Sequence, residues 1–135
     1  MKLFISFLIV AIVCCANAEL TAEQKEKVKG YHKECIDVTG ANPDLVKQAR
    51  EGKFADDEKL KNHILCVSKK IGFQNDAGDI QTDVLKHKLG AALGDQAVAD
   101  QLISTCAQPK ANPAETAFQT LKCYYEKTPT HVSFI

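Results

Sequence analysis

Two copies of the motif His-x-x-Cys hold the side chains of this chain that could do chemistry. One copy runs from His32 to Cys35 and the other from His63 to Cys66. On a helix, a spacing of three residues places both side chains on one face. Together the two motifs offer two imidazole nitrogens and two sulfurs, which is a ligand set of structural zinc sites. The alternative is that the cysteines are oxidised, which leaves surface or internally hydrogen-bonded histidines.

The first 18 residues favour the second alternative. Residues 1–18 have the pattern of a secretory signal peptide, in which Lys2 is the charged start, Leu3 to Val13 is an apolar run and Ala16-Asn17-Ala18 is the cleavage site. The apolar run is too short to span a bilayer. Secretion favours oxidised cysteines. We therefore predict a secreted, extracellular protein with no metal site and no cofactor.

Removal of the signal peptide would also remove Cys14 and Cys15. The predicted mature domain, residues 19–135, then retains an even number of cysteines: Cys35, Cys66, Cys106 and Cys123. An even number in a small secreted chain predicts two disulfides. Four cysteines allow three connectivities, and their spacing alone does not choose among them.

Size and charge exclude several classes of function. The mature segment has about the length of one domain. It keeps 16 of the 17 basic residues, since Lys2 is lost, against 17 acidic ones, and the signs are interspersed. We therefore expect no nucleic-acid partner and no membrane insertion. Nothing in the sequence resembles a nucleophile elbow, a His-Glu-x-x-His helix or a phosphate loop, so we predict that the protein is not an enzyme.

Helix start and stop signals divide the mature segment into six short helices. They are predicted from Thr21 to about Thr39, from Pro43 to near Gly52, from Asp56 or Asp57 to Gly72, from Gln81 to Ala92, from the cap Asp95 to before Pro109, and from Pro113 to about Glu126. Residues 75–79 are predicted to form a loop. No segment alternates with a period of two, so the predicted fold class is all-α.

Apolar residues recur at helical spacing within these segments. In the first helix the predicted apolar stripe contains Val28, Tyr31, Cys35 and Val38, and in the fifth helix Val98, Leu102 and Cys106 form one line. We expect Cys35, on the first of these stripes, to face the interior.

Two segments carry a resemblance to a known family. Residues 66–72, Cys-Val-Ser-Lys-Lys-Ile-Gly, and the last helix, with Asn112 to Phe118 followed by Lys122 to Tyr125, resemble insect odorant-binding and pheromone-binding proteins (PBP/GOBP). The resemblance covers essentially all of residues 19–135. It implies a single domain of about six helices around an apolar cavity. The implied function is to bind a small hydrophobic ligand, such as an odorant or pheromone, and to transport it through aqueous fluid without catalysis.

The cysteines depart from that family in one way. The family usually has six, and its second and fifth cysteines, which pair with each other, correspond here to Asn62 and Ala114. The chain therefore resembles the reduced-cysteine branch called Minus-C. The resemblance implies the disulfides Cys35–Cys66 and Cys106–Cys123. It also implies that Asn62 and Ala114 face each other, with Asn62 partly buried.

The resemblance further implies a set of ligand-binding residues. They are inward positions of the third to sixth helices together with Phe73 and the tail residue Phe134: Leu60, Ile64, Phe73, Leu85, Leu89, Ala99, Ile103, Ala117, Leu121, Tyr124 and Phe134. Each of these positions also fits solid core, because an apolar stripe on a helix is core more often than pocket.

The partners that we expect are the small hydrophobic ligand and, as a further candidate, a membrane odorant receptor. We expect a monomer or a weak dimer. The alternative from another class is a secreted helical protein that acts on membranes or receptors, but membrane action would require a basic amphipathic face. Such a face is not evident in the sequence.

Overall fold

Six helices form the part of the chain described by the computed structural model, residues 22–128. They are α1 (Ala22–Thr39), α2 (Pro43–Arg50), α3 (Glu58–Ile71), α4 (Thr82–Leu93), α5 (Gln96–Cys106) and α6 (Pro113–Lys127). Within residues 22–128 the β structure is limited to one isolated bridge between Gln74 and Ile80. The all-α prediction is confirmed. The predicted signal peptide and the tail residue Phe134 lie outside the described residues.

Local capping chemistry sets most of the helix boundaries. Four side chains each accept a hydrogen bond from a backbone N–H in the first turn of a helix, at 2.8 to 3.2 Å: Asn42, Asp57, Asp95 and Asn112. At the other end of α3, Gly72 adopts a φ of 96°. This left-handed conformation, which glycine adopts without a steric penalty, ends the helix. Asp57, Asp95 and Gly72 are among the boundaries predicted from the sequence, and Asn42 and Asn112 directly precede the predicted first residues Pro43 and Pro113.

Two disulfides join the helices in pairs. Cys35 and Cys66 connect α1 to α3 with an S–S distance of 2.04 Å, and Cys106 and Cys123 connect α5 to α6 with an S–S distance of 2.05 Å. These are the pairs that the family resemblance implies. In the chain-entropy account each loop contributes about 3 to 4 kcal/mol to the free energy of unfolding. Neither bridge joins α3 directly to α6.

Helix α3 lies at the centre of the packing, because it contacts α1 on one side and α6 on the other, while α5 contacts α4 and α6. The most deeply buried apolar side chains include Leu60 and Val67 on α3 and Leu89 on α4. The hydrophobic core therefore runs from the α1–α3 contact to the α4–α5 contact.

Two apolar side chains do not reach this core. Val38 is 80% exposed and Val98 is 43% exposed, although each belongs to a line of apolar residues in the sequence. Val38 lies one turn beyond the Cys35 bridge, where it lines an open groove with Leu65. Val98 lies in the first turn of α5, beside the buried row that begins at Ala99.

An ion-pair cluster joins α3 to α6 where no disulfide does. Lys61 Nζ lies 2.7 Å from an Asp56 carboxylate oxygen and 2.8 Å from a Glu115 carboxylate oxygen, and 5.2 Å from the centroid of the Phe118 ring. Only 12% of the Lys61 side chain is exposed. Hydrogen bonds from the ammonium to Asp56 and then to Glu115 raise the pKa of Lys61, and Lys61 in turn lowers the pKa of both carboxyl groups.

This cluster lies next to the two positions where the family's second and fifth cysteines would fall. Lys61 precedes Asn62, and Glu115 follows Ala114. Asn62 itself is exposed, so the expectation that it is partly buried is wrong. It lines the same open groove as Val38 and Leu65, on a face of α3 other than the one that carries Lys61. The α3–α6 contact therefore uses the neighbouring residues on both helices.

Replacing Lys61 with Met should lower the melting temperature. The variant keeps an unbranched side chain over Phe118 but leaves the Glu115 carboxylate without its counter-charge. The difference from wild type should shrink in about 1 M NaCl, where the Debye length falls to about 3 Å. Thermal unfolding followed by circular dichroism measures both effects. The matched control is Lys59→Met on the exposed face of the same helix; equal melting temperatures for the two variants would contradict the role of the cluster.

The loop before α4 supplies a second test of the packing. Gly78 has a φ of 89°, and a Cβ added to it would lie 2.4 Å from a Pro113 side-chain carbon. Gly78→Ala should therefore reduce the free energy of unfolding by more than about 1 kcal/mol. The control is Gly30→Ala inside α1, where an added Cβ meets nothing within 4 Å. That variant should gain about 0.5 to 1 kcal/mol. Urea unfolding measures both, and loss of stability in both would contradict the argument.

Candidate functional site

A cavity opens between α3 and α6, closed by the loop after α3 and by the first turn of α4. It is lined by residues from all of these elements and from the end of α5: Ile64, Val67, Ser68, Ile71, Phe73, Gln74, Ile80, Leu85, Ala107, Thr116, Ala117, Thr120, Leu121 and Tyr124. The cavity has a volume of about 40 Å³.

Part of the predicted ligand-binding set lies in this wall. The cavity is lined by Ile64, Phe73, Leu85, Ala117, Leu121 and Tyr124. Four other predicted residues are buried but do not line it: Leu60, Leu89, Ala99 and Ile103. Leu60 lies one turn before Ile64, and the other three lie on α4 and α5, which pack directly on each other. Phe134 lies outside the described residues, and its role stays a prediction.

Several lining residues are absent from the prediction because most of them are polar or small. Ser68 follows Ile64 by one helical turn, and Thr116 and Thr120 lie beside Ala117 and Leu121 on α6. Helical spacing from the predicted residues indicates these positions. Their hydroxyl groups are more typical of positions that face solvent, so hydrophobicity alone does not identify them as lining residues.

Most polar side chains of the wall are occupied by hydrogen bonds within the protein. Ser68 Oγ donates to Gln74 Oε1 at 2.7 Å, and Gln74 Nε2 donates to the Gly78 and Pro113 carbonyl oxygens at 3.0 and 3.2 Å. Thr116 Oγ1 donates to the Asn112 carbonyl oxygen at 3.0 Å. Thr120 Oγ1 donates to the Cys106 carbonyl oxygen at 3.4 Å. These groups close the wall without adding charge to it.

Tyr124 differs from these polar neighbours. Its side chain is 3% exposed, and its Oη has no hydrogen-bond partner among the described residues. Burial raises the pKa of its hydroxyl, so the phenol is neutral at physiological pH. The wall therefore contains a neutral donor whose bonding capacity the surrounding helices do not use.

The two His-x-x-Cys motifs meet where α1 packs against α3. His32 Nδ1 lies 2.9 Å from His63 Nε2, and the two rings stack with centroids 5.1 Å apart. Burial and then the charge of Arg50 lower the pKa of His63 to about 4. Cys35 and Cys66 are bonded to each other, so they are not zinc ligands here. Among residues 22–128 no three His, Cys, Asp or Glu side chains are placed to hold a metal ion.

Taken together, these features define a helical, disulfide-bonded binding domain with an internal apolar cavity. No helix within residues 22–128 combines the length and the apolar character needed to cross a bilayer. The sequence profile of the PBP/GOBP family matches residues 17–127, and the chain belongs to this family. This is a family of odorant-binding carriers and not of enzymes. The resemblance seen in the sequence is confirmed.

Three relatives illustrate the match. The chain is 30% identical to the B1 protein of Tenebrio molitor over 118 residues, which are 87% of this chain and 91% of the relative. A fatty acid binding protein, OBP56a, from the oral disk of the blowfly Phormia regina has a similar structure, with a TM-score of 0.65 and 27% identity, covering 80% of this chain and 94% of that one. Odorant binding protein 7 of Anopheles gambiae, solved with four disulfide bridges and an azo compound, gives a TM-score of 0.69 and 25% identity, covering 83% and 91%.

The histidine pair predicts a loss of stability in mild acid. The pKa of His63 is about 4 in the folded protein and about 6.5 when the side chain is free in the unfolded chain. Between these values the unfolded state binds a proton that the folded state excludes, so stability is complete above about pH 6.5 and falls as the pH drops towards 4. The full effect is about 3 kcal/mol.

Urea unfolding at about pH 7 and about pH 4.5 measures this dependence. His63→Leu should flatten the change between the two pH values, whatever its own stability at neutral pH. The control His87→Gln alters an exposed histidine on α4 and should leave the wild-type change intact. A His63→Leu profile that is as steep as wild type would contradict the assignment.

Proposed function

We propose that this protein is a secreted carrier that binds a small hydrophobic molecule in the cavity between α3 and α6 and transports it through aqueous fluid. The observation that carries the proposal is a largely apolar cavity in the interior of a PBP/GOBP domain. Apolar molecules are stabilised there because burial removes their surface from water, at about 25 cal/mol per Å². The expected affinity is micromolar, about −8 kcal/mol.

The relatives support a ligand of this kind. The blowfly relative is named as a fatty acid binding protein, and the mosquito relative was solved in complex with an azo compound. Both take small organic molecules. A membrane odorant receptor and a weak dimer remain expectations that follow from the family, and olfaction is one of several settings for such a carrier.

Ligand entry requires the walls to separate. A volume of about 40 Å³ is less than an odorant of ten or more heavy atoms occupies, so binding displaces side chains on α3 or α6. These two helices share the Lys61 ion-pair cluster and no direct disulfide. We interpret the chain as a Minus-C protein in which a non-covalent contact replaces the covalent one and permits this expansion.

Filling the cavity should abolish binding without unfolding the domain. Ala117 lies in the wall on α6, and Ala117→Phe places a ring in the space that a ligand would use. The affinity for a fluorescent apolar probe such as N-phenyl-1-naphthylamine should fall at least about tenfold, which is about 1.4 kcal/mol. Fluorescence titration measures the affinity, and circular dichroism checks the fold.

The control for this experiment is Ala91→Phe, which adds the same ring to an exposed position on α4. Wild type and this control should bind the probe equally and saturate at one site. Equal binding by Ala117→Phe would exclude this cavity as the site. Leakage of lipid vesicles without saturable probe binding would favour the membrane-active alternative.

A further inference from the structure

We propose, as a refinement that rests on the carrier function, that the cavity selects neutral ligands with one hydrogen-bond-accepting oxygen, and that Tyr124 Oη donates the hydrogen bond to that oxygen. The ligand class is therefore an aldehyde, ketone, ester or alcohol on an apolar skeleton. Ionised carboxylates are excluded from the same position.

The first support comes from the polar groups of the wall. Five of the lining side chains are polar, and four of them use their donors within the protein: Ser68, Gln74, Thr116 and Thr120. The Tyr124 hydroxyl is the fifth, and it has no partner within residues 22–128. A buried donor without a partner is unfavourable, because the group has lost its hydrogen bond to water. A ligand oxygen beside it would restore that bond.

The second support is the contrast with the next residue. Tyr125 Oη donates to the Glu51 carbonyl oxygen at 3.0 Å, and its ring packs against Phe54. The two tyrosines follow each other on α6, so their side chains point in different directions. Tyr125 joins α6 to the end of α2, whereas Tyr124 lies with Ala117 and Leu121 in the wall of the cavity.

The third support is the absence of charge. The described lining residues include no Lys, Arg, His, Asp or Glu. Transferring an ionised carboxylate from water into such a site is strongly unfavourable, because no cation compensates for the lost hydration. A carbonyl or ether oxygen has far less hydration to lose, and one donated hydrogen bond replaces much of it. The same wall thus accepts one class of oxygen and rejects the other.

Three molecules with one carbon skeleton test this selection. Limonene, perillaldehyde and perillate carry a methyl, an aldehyde and a carboxylate at the same ring position. We expect perillaldehyde to displace the fluorescent probe about fivefold more tightly than limonene, the usual size of one neutral hydrogen bond. Perillate at about pH 7.4 should bind at least about tenfold more weakly than perillaldehyde. Competition titrations on the mature wild-type protein give these ratios.

Tyr124→Phe should reduce the ratio of the affinities for perillaldehyde and limonene from about five to about one. Tyr125→Phe, the control on the same helix, should keep the preference. The carbonyl stretch of bound perillaldehyde gives an independent readout, because a donated hydrogen bond lowers its frequency in wild type and in Tyr125→Phe but not in Tyr124→Phe. A merely structural role of Tyr124 would not produce that pattern.

The outcomes separate this inference from the function on which it rests. If wild type binds neither the probe nor limonene, the carrier function and the inference both fail. If both bind but perillate matches perillaldehyde, or Tyr124→Phe weakens limonene and perillaldehyde equally, the inference alone is wrong. The affinities of wild type for the three molecules also test the inference if Tyr124→Phe does not fold, because equal affinities for limonene and perillaldehyde would contradict a donated hydrogen bond.

Discussion

The position of α3 is the constraint on which the rest of the structure depends. On one side the Cys35–Cys66 disulfide holds it against α1, and the stacked histidines lie one turn before the two cysteines on the same helices. On the other side Lys61 bonds to Glu115 on α6. The first contact contains a disulfide, whereas the second contains an ion pair and no disulfide. The cavity lies on the second side, so the proposed carrier function requires movement of the wall that no disulfide joins to α3.

Helix α6 is restrained in a complementary way. Its Cys123 is bonded to Cys106 at the end of α5, and Tyr125 bonds to the backbone at the end of α2. The cavity face of α6 carries small or apolar residues such as Ala117 and Leu121. Near its start, α6 is held by non-covalent contacts, which include the Lys61–Glu115 ion pair to α3 and the hydrogen bond from Gln74 Nε2 to the Pro113 carbonyl oxygen.

The helices could be predicted because capping depends on neighbouring residues. The features that were not predicted depend on contacts between residues that are distant in the sequence. Capping by Asn42 or Asp95 depends on a few neighbouring residues, so the sequence is sufficient to locate it. The disulfide pairs came from the family resemblance. Periodicity indicates which face of a helix is buried, but it does not show whether that face meets a void or another side chain. Ile64 and Leu60 share one stripe on α3, yet only Ile64 lines the cavity. The meeting of His32 with His63 depends on how α1 crosses α3, which neither motif specifies.

Burial favours the neutral forms of two ionisable groups in the interior, His63 and Tyr124. Burial lowers the pKa of His63, a base, and raises that of Tyr124, an acid, so both shifts favour the uncharged state. Lys61 is charged and mostly buried, and it lies within hydrogen-bond distance of two carboxylates outside the lining of the cavity. The described lining of the cavity therefore contains hydrogen-bonding groups but no charged group. This is the physical basis of the ligand selectivity that we propose, because a polar but uncharged ligand loses less hydration on entering such a site than an ion does.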